Sequence, residues 1–292
     1  MIALPAVIVV ALVIALTGDG AGSEQPAEYA AAAKRADRFD SARAWRALKY
    51  QVALGPRPAG SPQSRKLAAY IRKRIPRGHY EAVPGHPGLR NVVGRIPGTL
   101  PAVVVAAHYD TKDLPGFVGA NDGAGGTAAV LEIARALRRM HRPAGAPEIR
   151  FVFFDGEEAT DDSRDFLATG VRGSTAYAER HAKEIRALIL LDFVAEKGDM
   201  RIPREAGSNA ALWARLRRAA QRVGSGAAFP EGTAGEVTDD HTPFTERGIP
   251  AIDLIDFTFP CWHRPCDNLS AVSEHSLDVS GEAVLELLRT WR

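Results

Sequence analysis

Two consecutive glutamates, Glu157 and Glu158, follow an apolar segment with the character of a β-strand, residues 149–154. Because neighbouring side chains at a strand end point in different directions, one carboxylate can hold a metal ion while the other faces a bound substrate. Other candidate ligands lie at the ends of apolar segments or in loops: His108, Asp110, Asp122, Asp192 and His263. The pattern predicts a metalloenzyme whose ligands come from several distant segments.

A catalytic zinc site uses about three histidine or carboxylate ligands and leaves a position open for water or a substrate oxygen. Asp122 lies in a glycine-rich bend, where it either binds metal or only caps the next helix. His108 and Asp110 are either an ordinary hydrogen-bonded pair or a ligand and the carboxylate that orients it. Asp192 ends a buried strand, so a metal or a proton shared with Glu157 would compensate its charge.

An acidic motif, Asp239-Asp240-His241, precedes the last predicted strand. In isolation such a motif is usually a solvated turn. Close carboxylates cannot all ionise, so an acid such as Asp239 beside Glu157 would raise the proton affinity of that glutamate. Glu157 would then be suited to act as a general base near neutral pH.

The segments that must position these residues alternate between helix and strand patterns after two N-terminal covering helices. Helices are predicted at residues 41–55, 64–75, 125–140, 175–185, 209–223 and 275–291, and strands at residues 91–98, 102–110, 149–155, 186–194 and 250–257. The strand at 102–110 is nearly all apolar and therefore central. We expect a single-domain α/β fold with a mostly parallel mixed β-sheet, flanked by helices on both faces, that gathers ligands at its carboxyl edge.

Size and composition fit one catalytic domain, which we place at residues 41–292. The chain has 292 residues, 46% of them hydrophobic, which is enough for one sizeable core. Its 37 basic and 35 acidic residues give a net charge of +2, too balanced to indicate a nucleic-acid or anionic-membrane partner. The apolar start of segment 1–25 predicts a signal peptide or membrane anchor, and a buried core helix is the alternative. Residues 26–40 are predicted to be a linker. We expect a secreted or extracytoplasmic protein.

The only two cysteines, Cys261 and Cys266, bracket His263. In an exported protein a disulfide between them would close a tight loop around this candidate ligand. Two free thiols or thiolate metal ligands are the alternatives, although the spacing is not that of a structural zinc site.

Taken together, the motifs HYDTK, GANDGAGG, FFDGEEA, LLDF, DDHTPF and WHRPCD resemble the zinc-dependent aminopeptidase superfamily, and within it the animal-type glutaminyl cyclases. The resemblance extends from Trp45 to Arg292. It implies one zinc ion held by Asp122, Glu158 and His263. It also implies that Glu157 is the catalytic proton shuttle, with Asp192 and Asp239 in its hydrogen-bond network, and that the substrate is bound by Trp262, Phe259 and Lys112.

The function implied is that of a glutaminyl-peptide cyclotransferase, which converts the N-terminal Gln of peptides or proteins to pyroglutamate and releases ammonia. The alternative is a zinc aminopeptidase with one or two metals. That branch of the superfamily adds His108 and Asp192 as ligands and uses Asp122 as a bridge, and both sets are present here. The Asn121-Asp122 pair is the form typical of the peptidases. Peptide N-termini are the expected partners, and we expect a monomer.

Overall fold

The computed structural model describes residues 37–292, and its centre is a six-stranded sheet in the order β1-β2-β4-β3-β5-β6. The strands are β1 (His79–Ala82), β2 (Arg90–Ile96), β3 (Thr99–His108), β4 (Pro147–Phe154), β5 (Ile185–Leu191) and β6 (Ala251–Leu254). The α-helices are α1 (Ser41–Ala53), α2 (Pro62–Arg72), α3 (Ala124–Leu137), α4 (Phe166–Thr169), α5 (Arg172–His181), α6 (Ala210–Arg222), α7 (Thr242–Thr245) and α8 (Glu274–Arg289).

The sheet is mixed and mostly parallel, which confirms the predicted α/β class. Strand β3 pairs in parallel with β4 and β5, and β5 pairs in parallel with β6. The pairs β1–β2 and β2–β4 are antiparallel. Strand β3 is central as predicted, and its residues 102–108 are all buried. Strands β2 and β3 are consecutive in the chain, but β4 lies between them in the sheet. The short elements β1, α4 and α7 were not predicted.

Helices cover both faces of the sheet. Because successive side chains of a strand point to opposite faces, Val103 and Val105 belong to one buried cluster while Val104 and Ala106 belong to another. The first and larger cluster contains residues of α1, α2, α3, α6 and α8. The second contains residues of α5 and α7. The carboxyl edge of the sheet is left to loops, which is where the candidate ligands lie.

Helix α3 begins in a way that brings its amino end against the candidate site. Its N-cap residue is Gly123, with φ of 91° and no side-chain capping bond. A β-carbon at this position would approach the Asp110 carbonyl oxygen to 2.8 Å and the His108 ring to 3.0 Å. Only glycine tolerates both this backbone conformation and this close approach. Asp122 therefore does not cap the helix, and its carboxylate is available for another role.

The predicted signal or anchor segment, residues 1–25, lies outside the described residues, as does most of the predicted linker at 26–40. Helix α1 begins at Ser41, where the catalytic domain was predicted to start. Among residues 37–292, no helix combines the length and the apolar character needed to cross a membrane.

Candidate metal centre and active site

The ends of three neighbouring parallel strands bring the main candidate residues together. His108 is the last residue of β3, and Asp192 directly follows β5. Glu157 and Glu158 follow the end of β4 within a short loop. Because β4, β3 and β5 are adjacent and parallel, their carboxyl ends meet at one edge of the sheet. The site lies at this edge, as the sequence pattern predicts.

Asp122, Glu158 and His263 form a group suited to hold one divalent cation. One donor atom from each residue lies within 4.8 Å of the others. His263 Nε2 is 3.6 Å from Asp122 Oδ2 and 3.3 Å from Glu158 Oε2. Tetrahedral zinc, with bonds of roughly 2.0–2.1 Å, holds its ligand atoms roughly 3.4 Å apart. Asp122 Oδ2 is buried without a hydrogen-bond partner, which a cation would supply. The residues fit the zinc ion that the resemblance implies.

The second-site candidates form a neighbouring group around the other oxygen of Asp122. His108 Nε2 lies 3.3 Å from Asp122 Oδ1 and 3.1 Å from Asp192 Oδ1. The three donor atoms again lie within 4.8 Å of one another. Asp122 thus faces one group with each oxygen, as a bridging carboxylate would. The His108–Asp192 contact is already within hydrogen-bond distance, so these two side chains can satisfy each other without a metal.

Two further aspartates hold the backbone of the ligand loops. The carboxylate of Asp110 accepts hydrogen bonds from the backbone N–H groups of Glu157 and Glu158, at 3.2 and 3.3 Å. Asp110 lies 3.7 Å from His108 Nδ1, so it orients the glutamate loop more directly than the histidine. The carboxylate of Asp267 accepts from the backbone N–H of Asp122 at 3.0 Å and also from that of the preceding residue.

Two further residues of the site have roles that the sequence did not predict. Asp267 lies in one of the motifs without a predicted role, and Arg57 was not a candidate. The Arg57 side chain is fully buried and donates to the carbonyl oxygens of Val118 and Gly119, in the loop that leads to Asp122. Burial lowers the pKa of Arg57 to about 10, while nearby Asp267 and other acids raise it. A single arginine between two proline residues carries no periodic signal, so only the fold reveals this buried cation.

The carboxyl group of Glu157 lies in an environment that favours its protonated form. Burial raises the pKa of Glu157 well above its usual range, and His108, whose Nδ1 is 3.8 Å from Glu157 Oε2, lowers it. The neighbouring acids Glu158, Asp239 and Asp240 raise it further. A carboxyl group with raised proton affinity can accept a proton and return it near neutral pH. This environment fits the predicted proton shuttle.

The predicted ligands have their own characteristic electrostatics. Burial raises the pKa of Glu158 to about 7, Asp122 raises it as well, and His263 lowers it. Burial lowers the pKa of His263, but Glu158 and Asp122 outweigh this effect and raise it overall. Burial also raises the pKa of Asp192 well above its usual range. A bound dication would lower these raised pKa values, because it stabilises carboxylates and neutral imidazole as ligands.

The three predicted substrate-binding residues lie at different depths. Trp262 is 45% exposed, and its ring centroid is 4.6 Å from that of His263, so it lines the entrance beside the metal centre. Phe259 is only 5% exposed and packs against Phe193 in a small apolar cluster. Lys112 is buried and its Nζ lies 4.0 Å from Glu158 Oε2. Their roles in substrate binding stay predictions, and Trp262 is the one most open to a ligand.

A disulfide links Cys261 to Cys266 and closes the loop that carries His263. The disulfide is the first of the three alternatives for the cysteines. His263 has a φ of 51°, in the left-handed region that side chains other than glycine rarely adopt. The closed loop holds the histidine in this conformation, with its imidazole toward Asp122 and Glu158.

Replacing both cysteines with serine is expected to lower the free energy of unfolding by about 2 kcal/mol, from the loop-closure entropy of a short loop. Zinc affinity is expected to fall as well, because His263 would no longer be held in its unusual backbone conformation. Urea unfolding and zinc titration of the double variant would measure both effects. The matched control is the wild-type protein with the disulfide intact, measured in the same buffer without reductant. Equal zinc affinity in the two proteins would show that the disulfide does not position His263.

The fold and the site together define a zinc-exopeptidase-like α/β protein. The sequence model of peptidase family M28 matches residues 91–288, and the chain belongs to this family. Over 230 residues it is 30% identical to the glutaminyl-peptide cyclotransferase-like protein of Mus musculus, covering 64% of this chain and 57% of that protein. The chain thus spans little more than half the length of this curated relative.

Solved structures give the same fold over most of the chain. A glutaminyl cyclase from an Acidobacteriales bacterium has a TM-score of 0.75 and 32% identity, covering 86% of this chain and 94% of its own. A leucine aminopeptidase precursor from Bacteroides thetaiotaomicron has a TM-score of 0.77 and 25% identity, covering 88% and 99%. Similar proteins therefore include both cyclases and aminopeptidases, the two classes that the motifs resemble.

Proposed function

We propose that this protein is a glutaminyl-peptide cyclotransferase that converts N-terminal glutamine to pyroglutamate and releases ammonia. The observation that carries the proposal is the convergence of Asp122, Glu158 and His263 on one cation-sized space with Glu157 beside it. The similarity to a bacterial glutaminyl cyclase along nearly its whole length supports the same function. So does Trp262, an exposed apolar side chain in contact with the ligand histidine.

We propose one zinc ion, held by Asp122, Glu158 and His263. When bound there, zinc supplies Lewis-acid polarisation of the amide oxygen of the glutamine side chain. With one ion bound there, His108 and Asp192 can hydrogen-bond to each other at 3.1 Å and need no metal between them. Asp192 would then act as a hydrogen-bonding neighbour of the catalytic group and not as a ligand.

Glu157 provides the proton transfer that cyclisation requires. The free α-amine of the substrate forms a bond to its own side-chain amide carbon, and Glu157 takes the proton that the amine loses. The bond from that carbon to the amide nitrogen then breaks, and Glu157 returns the proton to the nitrogen, which leaves as ammonia. No water enters the balance. A carboxyl group with raised pKa suits both steps.

The surroundings of the metal group can hold a bent peptide N-terminus. Trp262 offers an apolar wall for the methylene groups of the glutamine side chain. A cavity of about 250 Å³ opens beside Glu158 and is lined by Pro58, Lys112 and Arg172 among others. This cavity gives the residues after the glutamine a path away from the centre. Holding the amine close to the amide carbon contributes several kcal/mol to catalysis as a proximity effect.

A second candidate function, zinc aminopeptidase, is favoured by one specific observation. Asp122 directs its Oδ1 to His108 and its Oδ2 to His263. This is the arrangement of a carboxylate that bridges two metal ions. In that case Asp192 would be a ligand, and Glu157 would take a proton from the attacking water. The leucine aminopeptidase precursor that shares the fold fits this alternative.

Incubation of the purified, zinc-loaded protein with a peptide that begins with glutamine distinguishes the two functions. We expect the peptide to lose the mass of ammonia without becoming shorter, as followed by mass spectrometry. The same peptide beginning with asparagine is the matched control, because its shorter side chain cannot form the five-membered ring. Release of free glutamine would support the aminopeptidase instead. An unchanged peptide would contradict both proposals.

We also propose that the protein works outside the cytoplasm as a monomer. The support for the location is the disulfide between Cys261 and Cys266, because such bonds persist mainly in oxidising compartments. The apolar residues at the start of the chain are consistent with export. Fractionation of the native host, with the protein detected by antibody, would test the location.

A further inference from the structure

A third cluster of possible metal ligands lies outside both groups around Asp122. It consists of Asp239 and His241, in the segment leading into α7, and Asp253 in strand β6. One donor atom from each lies within 4.8 Å of the others, and all three side chains are buried. His241 and Asp253 belong to neither group around Asp122.

Several polar atoms of this cluster have no hydrogen-bond partner. They include Asp239 Oδ2, His241 Nδ1 and both side-chain oxygens of Asp253. His241 Nδ1 lies 3.8 Å from Asp253 Oδ2, so these atoms face each other across a gap wider than a hydrogen bond. A buried polar atom without a partner is costly, and here three residues direct such atoms at one small volume.

The charges around the cluster are also uncompensated. Within the described part of the chain, the ion pairs of Asp253 and Glu205 are with His241, and none with lysine or arginine reaches them. The group therefore has an excess of carboxyl groups over cations in a region that excludes water.

Glu205 completes an arrangement that is common at metal sites. Its Oε1 lies 3.5 Å from His241 Nε2, on the side of the imidazole opposite Asp253. A metal-bound histidine usually directs its second nitrogen toward a carboxylate, which fixes its tautomer. The backbone N–H of Gly207 donates to the other oxygen of Glu205 at 2.6 Å and holds the carboxylate in place. Glu205 Oε1 has no hydrogen-bond partner and faces His241 Nε2, while His241 Nδ1 faces Asp253.

We propose that Asp239, His241 and Asp253 bind a further divalent cation of the zinc class, with Glu205 orienting the imidazole. Two carboxylates and one imidazole are the same donor set as in the group of Asp122, Glu158 and His263, so zinc suits both. The ion would tie strand β6 to the loop before α7. It would thereby keep Asp239 close to Glu157. The proposal does not depend on which reaction the enzyme catalyses.

The test uses an Asp122→Asn background, because Asp122 belongs to both other groups and its loss weakens both. The full-length protein, without a histidine tag, is dialysed against zinc and then against metal-free buffer, and bound zinc is measured by mass spectrometry of the element. We expect the Asp122→Asn protein to retain about one zinc ion per chain. Adding Asp253→Asn or His241→Gln should remove that ion. Adding Asp240→Asn, the matched control, should leave it, since Asp240 is buried next to Asp239 but outside the cluster.

Zinc absent from the Asp122→Asn protein would overturn the proposal and show that the acids share protons instead. Equal zinc in the Asp253→Asn and Asp240→Asn proteins would overturn it too. Circular dichroism checks that each variant is folded. If a double variant is not folded, X-ray absorption of the Asp122→Asn protein gives an independent answer. That spectrum should show one imidazole and a shell of oxygen ligands. Because the peptide assay uses wild-type protein and this test counts metal, failure of one does not imply failure of the other.

Discussion

The Glu157→Gln variant is expected to lose roughly 10²–10⁴-fold in kcat for cyclisation of a glutamine peptide. Glutamine has nearly the same shape as glutamate but cannot accept the proton of the attacking amine. Bound zinc should stay at the wild-type level, because Glu157 is not among the residues that converge on the cation. KM is expected to change less than kcat, because Glu157 acts mainly on the proton that moves in the transition state. Steady-state kinetics and metal analysis on one preparation measure all three quantities.

The matched control is Glu179→Gln, the same change at an exposed glutamate that pairs with Arg247 on the surface. This control should keep full activity. If the Glu157→Gln protein lost its zinc, the division of roles between Glu157 and Glu158 would be wrong. If it kept near-wild-type turnover, another group would have to move the proton, and Asp239 would be the first alternative.

The His263→Ala variant is expected to lose activity together with the zinc ion held by Asp122 and Glu158, while an ion at Asp239, His241 and Asp253 would stay. Loss of a residue that only hydrogen-bonds to a metal ligand typically lowers metal affinity by about 10–100-fold. Loss of the ligand itself should therefore weaken zinc binding by more than about 100-fold. Only Asp122 and Glu158 would remain in the group, and two carboxylates without the imidazole make a poor zinc site. Competition with a zinc-binding dye measures the affinity, and the peptide assay at high zinc shows whether added metal restores turnover.

His79→Ala is a suitable control, because His79 is a largely exposed histidine on the edge strand β1. It should leave both zinc affinity and activity unchanged. Wild-type zinc affinity in the His263→Ala protein would mean that the cation lies elsewhere, for example between His108 and Asp192. The two variants thus separate proton transfer, which needs Glu157, from metal binding, which needs His263.

The choice between one and two metals in the main centre depends on His108 and Asp192. In a single-metal enzyme these residues hydrogen-bond to each other, as their 3.1 Å separation allows. In a two-metal enzyme both would bind an ion shared through Asp122. The polypeptide geometry of this chain is close to both states. The reaction is then decided by metal count and by access of water to the substrate.

Much of the candidate site was predictable because its residues follow strands that end at the same edge. His108, Glu158 and Asp192 each come after a strongly apolar segment, and such segments become buried parallel strands in an α/β protein. Several carboxylates and imidazoles in such positions together indicate chemistry or metal binding, although a single one can be structural. The type of fold and the three strand ends could therefore be predicted from local pattern alone.

The backbone supports of the site were not predictable. Asp267 binds the N–H of Asp122 across 145 residues of sequence, and Asp110 binds the N–H of Glu158 across 48. Asp110 could be recognised as a candidate from its place after an apolar strand, but its bonds to the glutamate loop could not, and the local sequence of Asp267 does not differ from that of an acid in a turn. Their roles arise only when loops from different strands come together and leave buried N–H groups that need acceptors.

The α/β class of this protein, with acids and histidines for a metal at the strand ends, could be predicted from the sequence alone. That information is local, because hydrophobic periodicity and the residue after each strand are read over a few positions. The folded structure was needed to show that β4 lies between β2 and β3, that Asp122 faces a different histidine with each oxygen, and that Phe259 is buried while Trp262 is open. Each of these depends on contacts between distant segments, and their geometry is set by how the whole core packs.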